Sequence, residues 1–288
     1  MPPERDDQVP ETSLEALLSA YPVILLDAYG VLVDATGALP GAREAIDRLN
    51  LRGKPYFVLT NDASRLPRTW ARRFRSFGLE ISADRIITSG SLIAEYFERY
   101  RLGGSRSVVL GPADSRAYVE AAGGRVVSPE EGDLDVLLIC DEEGYPFLQT
   151  ADAALGALFA RLDGGTPVRL VLPNPDLTYP SGGGGYGFTA GSIALMFEAA
   201  LERRYGGNAP RFDRLGKPFA PMFEEVVRRS GAAAADLVLI GDQLETDIAG
   251  AFRFGIHSAL ATTGISPAPS SWSEAEARPN YLLRRWSG

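Results

Sequence analysis

Val23-Ile24-Leu25-Leu26-Asp27-Ala28-Tyr29-Gly30-Val31-Leu32 is an apolar run that stops at a carboxylate and then turns on a glycine. Four large aliphatics in succession read as a strand buried on both faces, which places Asp27 at its C-terminal tip. Ligands of open α/β sheets bind at the carboxyl ends of the strands, so Asp27 is a candidate for chemistry. Outward from this stretch, apolar runs recur at 56–59, 108–110, 136–139, 168–172, 237–240 and 258–261. Helix-like text separates them at 42–50, 69–77, 89–100, 115–121, 151–162, 191–204 and 218–230, after a short helical patch at 13–20. Strands alternating with amphipathic helices predict βαβ units, parallel sheet and an α/β fold.

The strand tips differ in character. Asp27, Thr60-Asn61 and Gly241-Asp242 follow the first, second and sixth runs, whereas the middle runs end in Gly111-Pro112 and Pro173-Asn174-Pro175. The chain therefore reads as a Rossmann-like parallel-sheet core, residues 1–104 and 181–288, with a second α/β domain inserted over 105–180. The glycine-rich residues 181–187 read as a return linker, a plain flexible loop or a substrate loop.

Composition narrows the function. The chain has 288 residues, enough for one large domain or two unequal ones, and 29 Lys and Arg against 37 Asp and Glu give a net charge of −8. No basic tract is available to neutralise phosphates, which argues against a nucleic-acid or anionic-membrane surface. Arg68, Arg72, Arg73 and Arg75 form the densest basic cluster and read as a solvated helix face. The single cysteine, Cys140, excludes an intrachain disulfide and reads as a small buried hydrophobe. The single histidine, His257, excludes a histidine-based metal cluster and reads as structural, so any metal rests on oxygen ligands, which favours Mg²⁺. A polar, acidic N-terminus and the lack of an apolar stretch of ~18 residues suggest a cytoplasmic protein without a membrane span.

Four features share a chemical logic. Asp27 offers a carboxylate nucleophile or metal ligand, and Thr60-Asn61 a hydroxyl and backbone N–H groups for phosphate oxygens. Lys217, before a helix, offers a point cation. Gly241-Asp242-Gln243-Leu244-Glu245-Thr246-Asp247-Ile248 adds acids after a buried strand. Each alone reads equally as turn or capping chemistry. Brought together, Asp27, Asp242 and Asp247 repel, and one lysine cannot balance them, whereas a bound divalent cation can. Carboxylate, cation, lysine and hydroxyl are the parts for phosphoryl transfer through an aspartyl-phosphate. Asp62 and Arg65, just after the second tip, read either as facing the site or as helix capping.

These motifs, in this order, resemble the haloacid dehalogenase-like hydrolase superfamily and its NagD-like class IIA branch. Asp27 to Leu32 resembles the first motif, Leu59-Thr60-Asn61 the second, Gly216-Lys217-Pro218 with Met222-Phe223 the third, and the run from Gly241 to Ile248 the fourth. Pro173-Asn174-Pro175-Asp176, Pro180 and Ala190-Gly191-Ser192 resemble the branch's return from cap to core, and the likeness spans residues 21–265. The resemblance implies an inserted cap domain and a phosphatase acting on a small phosphorylated substrate of the sugar-phosphate, nucleotide or pyridoxal-phosphate type. It implies Asp27 as nucleophile and Mg²⁺ bound by Asp27, the Tyr29 carbonyl and Asp242, with Asp247 in support. Thr60, Asn61 and Gly30 would hold the phosphoryl group, Lys217 would neutralise charge, and the loop from Asp176 to Tyr179 would contribute to specificity. Caps of this kind often support homodimers.

Tyr29 departs from the branch's pattern, which has aspartate two residues after the nucleophile to protonate the leaving group and activate water. A phenol, with an ordinary pKa near 10, is a poor base at neutral pH but can donate a proton. Losing a positioned acid–base typically costs roughly 10²–10⁴ in rate. A similar Asp-Ala-Tyr-Gly run occurs in metal-independent 2-haloacid dehalogenases, which typically lack the acidic pair retained here as Asp242 and Asp247. Three readings follow: a slow Mg²⁺-dependent phosphatase, a metal-independent dehalogenase, and a non-catalytic phosphometabolite-binding protein.

Overall fold

The computed structural model describes residues 9–182, 185–262, 277–284 and 286. The chain divides into two compact units, one of residues 1–60, 68–87 and 217–288, the other of 61–67 and 88–216. Among the described residues, no helix is long and apolar enough to cross a membrane.

The first unit is built on a seven-stranded sheet. Its strands are β1 (Glu11–Thr12), β2 (Val23–Asp27), β3 (Tyr56–Thr60), β4 (Ile86–Thr88), β12 (Leu237–Gly241), β13 (His257–Ala261) and β14 (Tyr281–Leu283), in the order β1-β14-β13-β12-β2-β3-β4. The central pairings are parallel, with Leu26 opposite Ile240 on one side and Asp27 opposite Leu59 on the other. Helices α1 (Leu14–Ala20), α2 (Ala42–Leu51), α3 (Pro67–Ser76), α8 (Ala220–Ser230) and α9 (Ala249–Phe254) accompany the sheet. Every residue of β2 is buried, as a run of large aliphatics dictates. Ile24 and Leu26 join a core with Val58, Ile46, Leu49, Trp70 and Phe74, each such side chain contributing ~1.5–3 kcal/mol on burial. That core fixes the register of β12, β2 and β3, and the register sets their polar tips side by side.

The second unit carries a five-stranded parallel sheet. Its strands are β5 (Arg106–Leu110), β6 (Arg125–Val126), β7 (Val136–Ile139), β8 (Arg169–Leu172) and β11 (Asp213–Arg214), in the order β11-β8-β7-β5-β6. Its helices are α4 (Ile93–Tyr100), α5 (Ala113–Ala121), α6 (Phe147–Asp163) and α7 (Ala190–Tyr205). The inserted domain expected over 105–180 falls within this unit, which reaches from 88 to 216 and takes in 61–67. Two contacts account for the wider span. Ile193, Ala194, Phe197 and Leu201 of α7 and Phe212 share one core with Val108, Leu137 and Leu158. Ser115 Oγ and Tyr118 Oη donate to the carbonyls of Ala63 and Arg65 at 2.8 and 2.7 Å.

The glycine-rich stretch is not a plain loop where it is described. Strands β9 (Thr178–Gly182) and β10 (Gly185–Phe188) pair antiparallel as a hairpin, and Gly183 and Gly184 lie outside the described residues.

Candidate active site

Asp27 ends β2 and is 5% exposed, and the neighbouring strand β12 delivers Asp242 immediately after Gly241. The chain then winds through a π-helical turn, Leu244–Ile248, that carries Asp247 back toward the strand tip. Such turns are rare and concentrate at functional sites. Asp247 Oδ2 accepts the backbone N–H groups of Asp242 and Gln243, both at 3.2 Å, so the turn is closed by the carboxylate it presents. A Cβ on Gly241 would collide with that carboxylate, which explains the glycine.

Lys217 precedes α8 and is 3% exposed. Its Nζ donates to Asp27 Oδ1 at 2.5 Å and to Asp247 Oδ1 at 2.7 Å. Carboxylate oxygens of Asp27, Asp242 and Asp247 all lie within 4.8 Å of one another, and all three residues are buried. One ammonium against three carboxylates leaves the cluster strongly negative. Burial, then the repulsion of Asp247 and Asp242, raise the Asp27 carboxyl well above the usual carboxylate range despite the opposing pull of Lys217. Burial works against the Lys217 charge, but Asp247 and Asp27 more than offset it and raise the ammonium above its ordinary value. Close-packed oxygen donors with excess negative charge, free of sulfur and imidazole, suit a hard divalent cation.

Gly30 makes the close approach possible. At φ +81° it occupies the left-handed region, and a Cβ there would strike the Asp242 carboxylate. The turn after β2 could not bring Asp242 this near with any other residue. Its N–H donates to the Val33 carbonyl at 2.9 Å. Thr60, 5% exposed, ends β3 one residue beyond Leu59, the register partner of Asp27.

Tyr29 packs elsewhere. Its ring meets Trp70 edge-on, 5.8 Å between centroids at 80°, and leans on the core. Its hydroxyl accepts from Arg73 Nη2 at 3.2 Å. Arg73 was expected on a solvated helix face together with Arg68, Arg72 and Arg75. Those three lie on the exposed or partly exposed side of α3, but Arg73 is half-buried, its guanidinium 5.2 Å from the Phe77 ring centroid and 5.9 Å from that of Trp70. The helical spacing of Trp70, Arg73 and Phe77 was the available signal.

In the second unit, Asn61 Nδ2 donates to Asp176 Oδ1 at 2.8 Å, and the Asn61 carbonyl accepts from Ser89 Oγ at 2.6 Å. Asp176 is held in turn by its N–H to Asn174 Oδ1 at 3.0 Å. Tyr179 lies on β9, 36% exposed, its ring over Gly187, where a Cβ would collide with it. Asp62 closes a local turn: its Oδ1 accepts from the backbone of Ser64 and Arg65, and its Oδ2 pairs with Arg65 at 2.8 Å. Cys140 is a free, fully buried thiol whose pKa burial pushes up, and the His257 ring lies tilted at 53° against Tyr21, 5.2 Å between centroids.

Residues 24–125 match a family model described as haloacid dehalogenase-like hydrolase, and residues 214–285 match one described as HAD-hydrolase-like. An acid sugar phosphatase of Staphylococcus aureus is 25% identical over 249 residues, covering 86% of this chain and 89% of that protein. A crystal structure of a possible sugar phosphatase of the HAD superfamily from Cytophaga hutchinsonii superposes with a TM-score of 0.79 at 29% identity, covering 96% of this chain and 98% of that one. A 4-nitrophenylphosphatase from Thermotoga maritima shares the fold, with a TM-score of 0.78 at 24% identity over 94% of this chain and 96% of its own.

Proposed function

Because the chain belongs to the haloacid dehalogenase-like hydrolases, we propose that it hydrolyses a small phosphate ester through an aspartyl-phosphate on Asp27. The observation that carries this reading is the buried, charge-imbalanced cluster of Asp27, Asp242, Asp247 and Lys217 at the tips of β2 and β12. A buried excess of negative charge is costly unless a cation or ligand compensates it. Asp27, Asp242 and Asp247 would hold Mg²⁺, with the Tyr29 carbonyl as a further oxygen donor. When bound, the metal supplies positive charge that draws the phosphoryl group toward the carboxylates.

This chain's own groups do the rest. A carboxylate oxygen of Asp27 attacks phosphorus. Lys217, already within hydrogen-bonding distance of Asp27 and Asp247, orients the nucleophile and offsets charge as the leaving oxygen departs. The Thr60 hydroxyl and the adjoining backbone amide would hold phosphoryl oxygens. The names of the relatives favour a sugar phosphate as substrate.

A screen of phosphorylated metabolites with and without Mg²⁺ tests the reading. Phosphate release that depends on Mg²⁺ is expected, strongest among sugar phosphates. Chloride release from 2-chloropropionate without metal, or thermal stabilisation by phosphometabolites with no turnover, would overturn it.

A further inference from the structure

We propose that Asp176 is a positioning residue for the turn that follows Thr60, and that its carboxylate serves every substrate alike by gripping Asn61 instead of meeting the leaving group. The inference rests on the phosphatase reading, in which Thr60 and the adjoining backbone amide, the N–H of Asn61, hold phosphoryl oxygens. Thr60 ends β3 one residue beyond Leu59, the register partner of Asp27. The direction of the next N–H therefore depends on how Asn61 is held.

Asn61, 6% exposed, is gripped at two points. The fully buried Ser89 donates from Oγ to its carbonyl at 2.6 Å, and its own Nδ2 donates to Asp176 Oδ1 at 2.8 Å. An ionised carboxylate only accepts, so Asp176 also decides which end of the Asn61 amide faces it. The oxygen end lies against Gly216, where a Cβ would strike both Asn61 Oδ1 and the Pro173 carbonyl. Anchoring the carbonyl and the side chain together fixes the conformation of Asn61, and with it the N–H that adjoins Thr60. Further along the turn, the carbonyls of Ala63 and Arg65 are taken by the hydroxyls of Ser115 and Tyr118, without help from Asp176.

Asp176 is itself held firmly. Its N–H donates to Asn174 Oδ1 at 3.0 Å, and its carbonyl accepts from the N–H of Gly191 at 2.9 Å. Asn174 Nδ2 donates in turn to Thr189 Oγ1 at 3.3 Å, and both residues are buried. A Cβ on Gly191 would strike the carbonyls of Pro175 and Asp176, so the close approach of α7 needs glycine there. An acid fixed through both of its backbone groups and engaged with Asn61 is set to hold one partner, whereas Tyr179 of the same loop stands exposed on β9.

The test compares inhibition by inorganic phosphate with kcat and KM for monoesters of unlike leaving groups: a hexose phosphate, glycerol phosphate and p-nitrophenyl phosphate, all with Mg²⁺ present. Asp176→Ala should raise every KM and the phosphate inhibition constant by a common factor of about ten to a hundred, because a buried donor loses its acceptor. Asp176→Asn, whose amide oxygen can still accept from Asn61, should recover most of that loss. Losses that differ among the esters while phosphate inhibition is unchanged would put Asp176 on the leaving group and overturn the proposal. A lower kcat with KM and phosphate inhibition unchanged, the signature of a smaller folded fraction, would overturn it too, as would an asparagine variant as impaired as the alanine one. If Asp176→Ala does not fold, Asn174→Ala carries the comparison, since it removes the acceptor of the Asp176 N–H and leaves the carboxylate and Asn61 intact. There a common rise of about two- to fivefold is expected, and an uneven or absent rise contradicts the proposal. A wild-type protein that neither hydrolyses a monoester nor binds phosphate removes the phosphatase reading and this inference together, whereas hydrolysis indifferent to Asp176 removes only this inference.

Discussion

Both units are parallel α/β sheets, yet they hold their most buried acids differently. In the first, Asp27, Asp242, Asp247 and Lys217 are at most 5% exposed, and negative charge exceeds positive. In the second, the acids Glu198 and Asp135 are each paired with arginine. Glu198 is held by Arg214 at 3.0 Å, and Asp135 is held down to about 2 by hydrogen bonds from Arg106, with Arg161 adding to the pull. Where charges pair, they organise structure; where they are left unbalanced at strand tips, the imbalance is available to bind and react.

The largest expected break in this contrast comes from Lys217→Met. Removing Lys217 leaves Asp27 and Asp247 facing each other without its charge, a loss of about 3–5 kcal/mol for a broken buried pair. Thermal unfolding of the metal-free protein should show it, with stability partly recovered on adding Mg²⁺. A variant as stable as the wild type, or one indifferent to Mg²⁺, would mean the cluster is not charge-imbalanced in solution.

A smaller effect sharpens the contrast from the other side. Burial, and then the adjacent Glu142, lift Asp141 at the tip of β7 to about 6. A carboxyl with a raised folded-state pKa favours the folded protein while protonated. That contribution is present below the ordinary carboxylate value of about 4 and is lost as pH rises through about 6. Asp141→Asn, neutral throughout, should therefore gain about 1–2 kcal/mol over wild type at pH 8 after allowance for solvent screening. At pH 4 it should differ little. Denaturant unfolding at the two pH values measures this, and an equal effect at both would contradict it.

The sheet and the cluster were legible because each strand tip is locally encoded: an aliphatic run, a polar residue, a glycine. Asp27, Lys217, Asp242 and Asp247 came together for that reason. Three features were less legible. The second unit's span depends on α7 residues such as Phe197 sharing a core with β7, a tertiary fact that strand-tip chemistry does not carry. The hairpin of β9 and β10 was hidden because its glycines dilute the alternation of Tyr179, Tyr186 and Phe188. Arg73 was lost among its neighbours, since four arginines in eight residues read as one solvated face. Only the position of Arg73 between two aromatic residues on the same helix face separates it from the others.

The central claim is that Asp27 attacks phosphorus. Its most direct test is to quench the enzyme during turnover of a phosphate ester, reduce any acyl phosphate with borohydride, and map the modified residue by mass spectrometry. The account predicts reduction of the Asp27 side chain to an alcohol in the wild-type protein and its complete absence in Asp27→Asn. A modification at another residue, or turnover with Asp27 unmodified at every quench time, would contradict it.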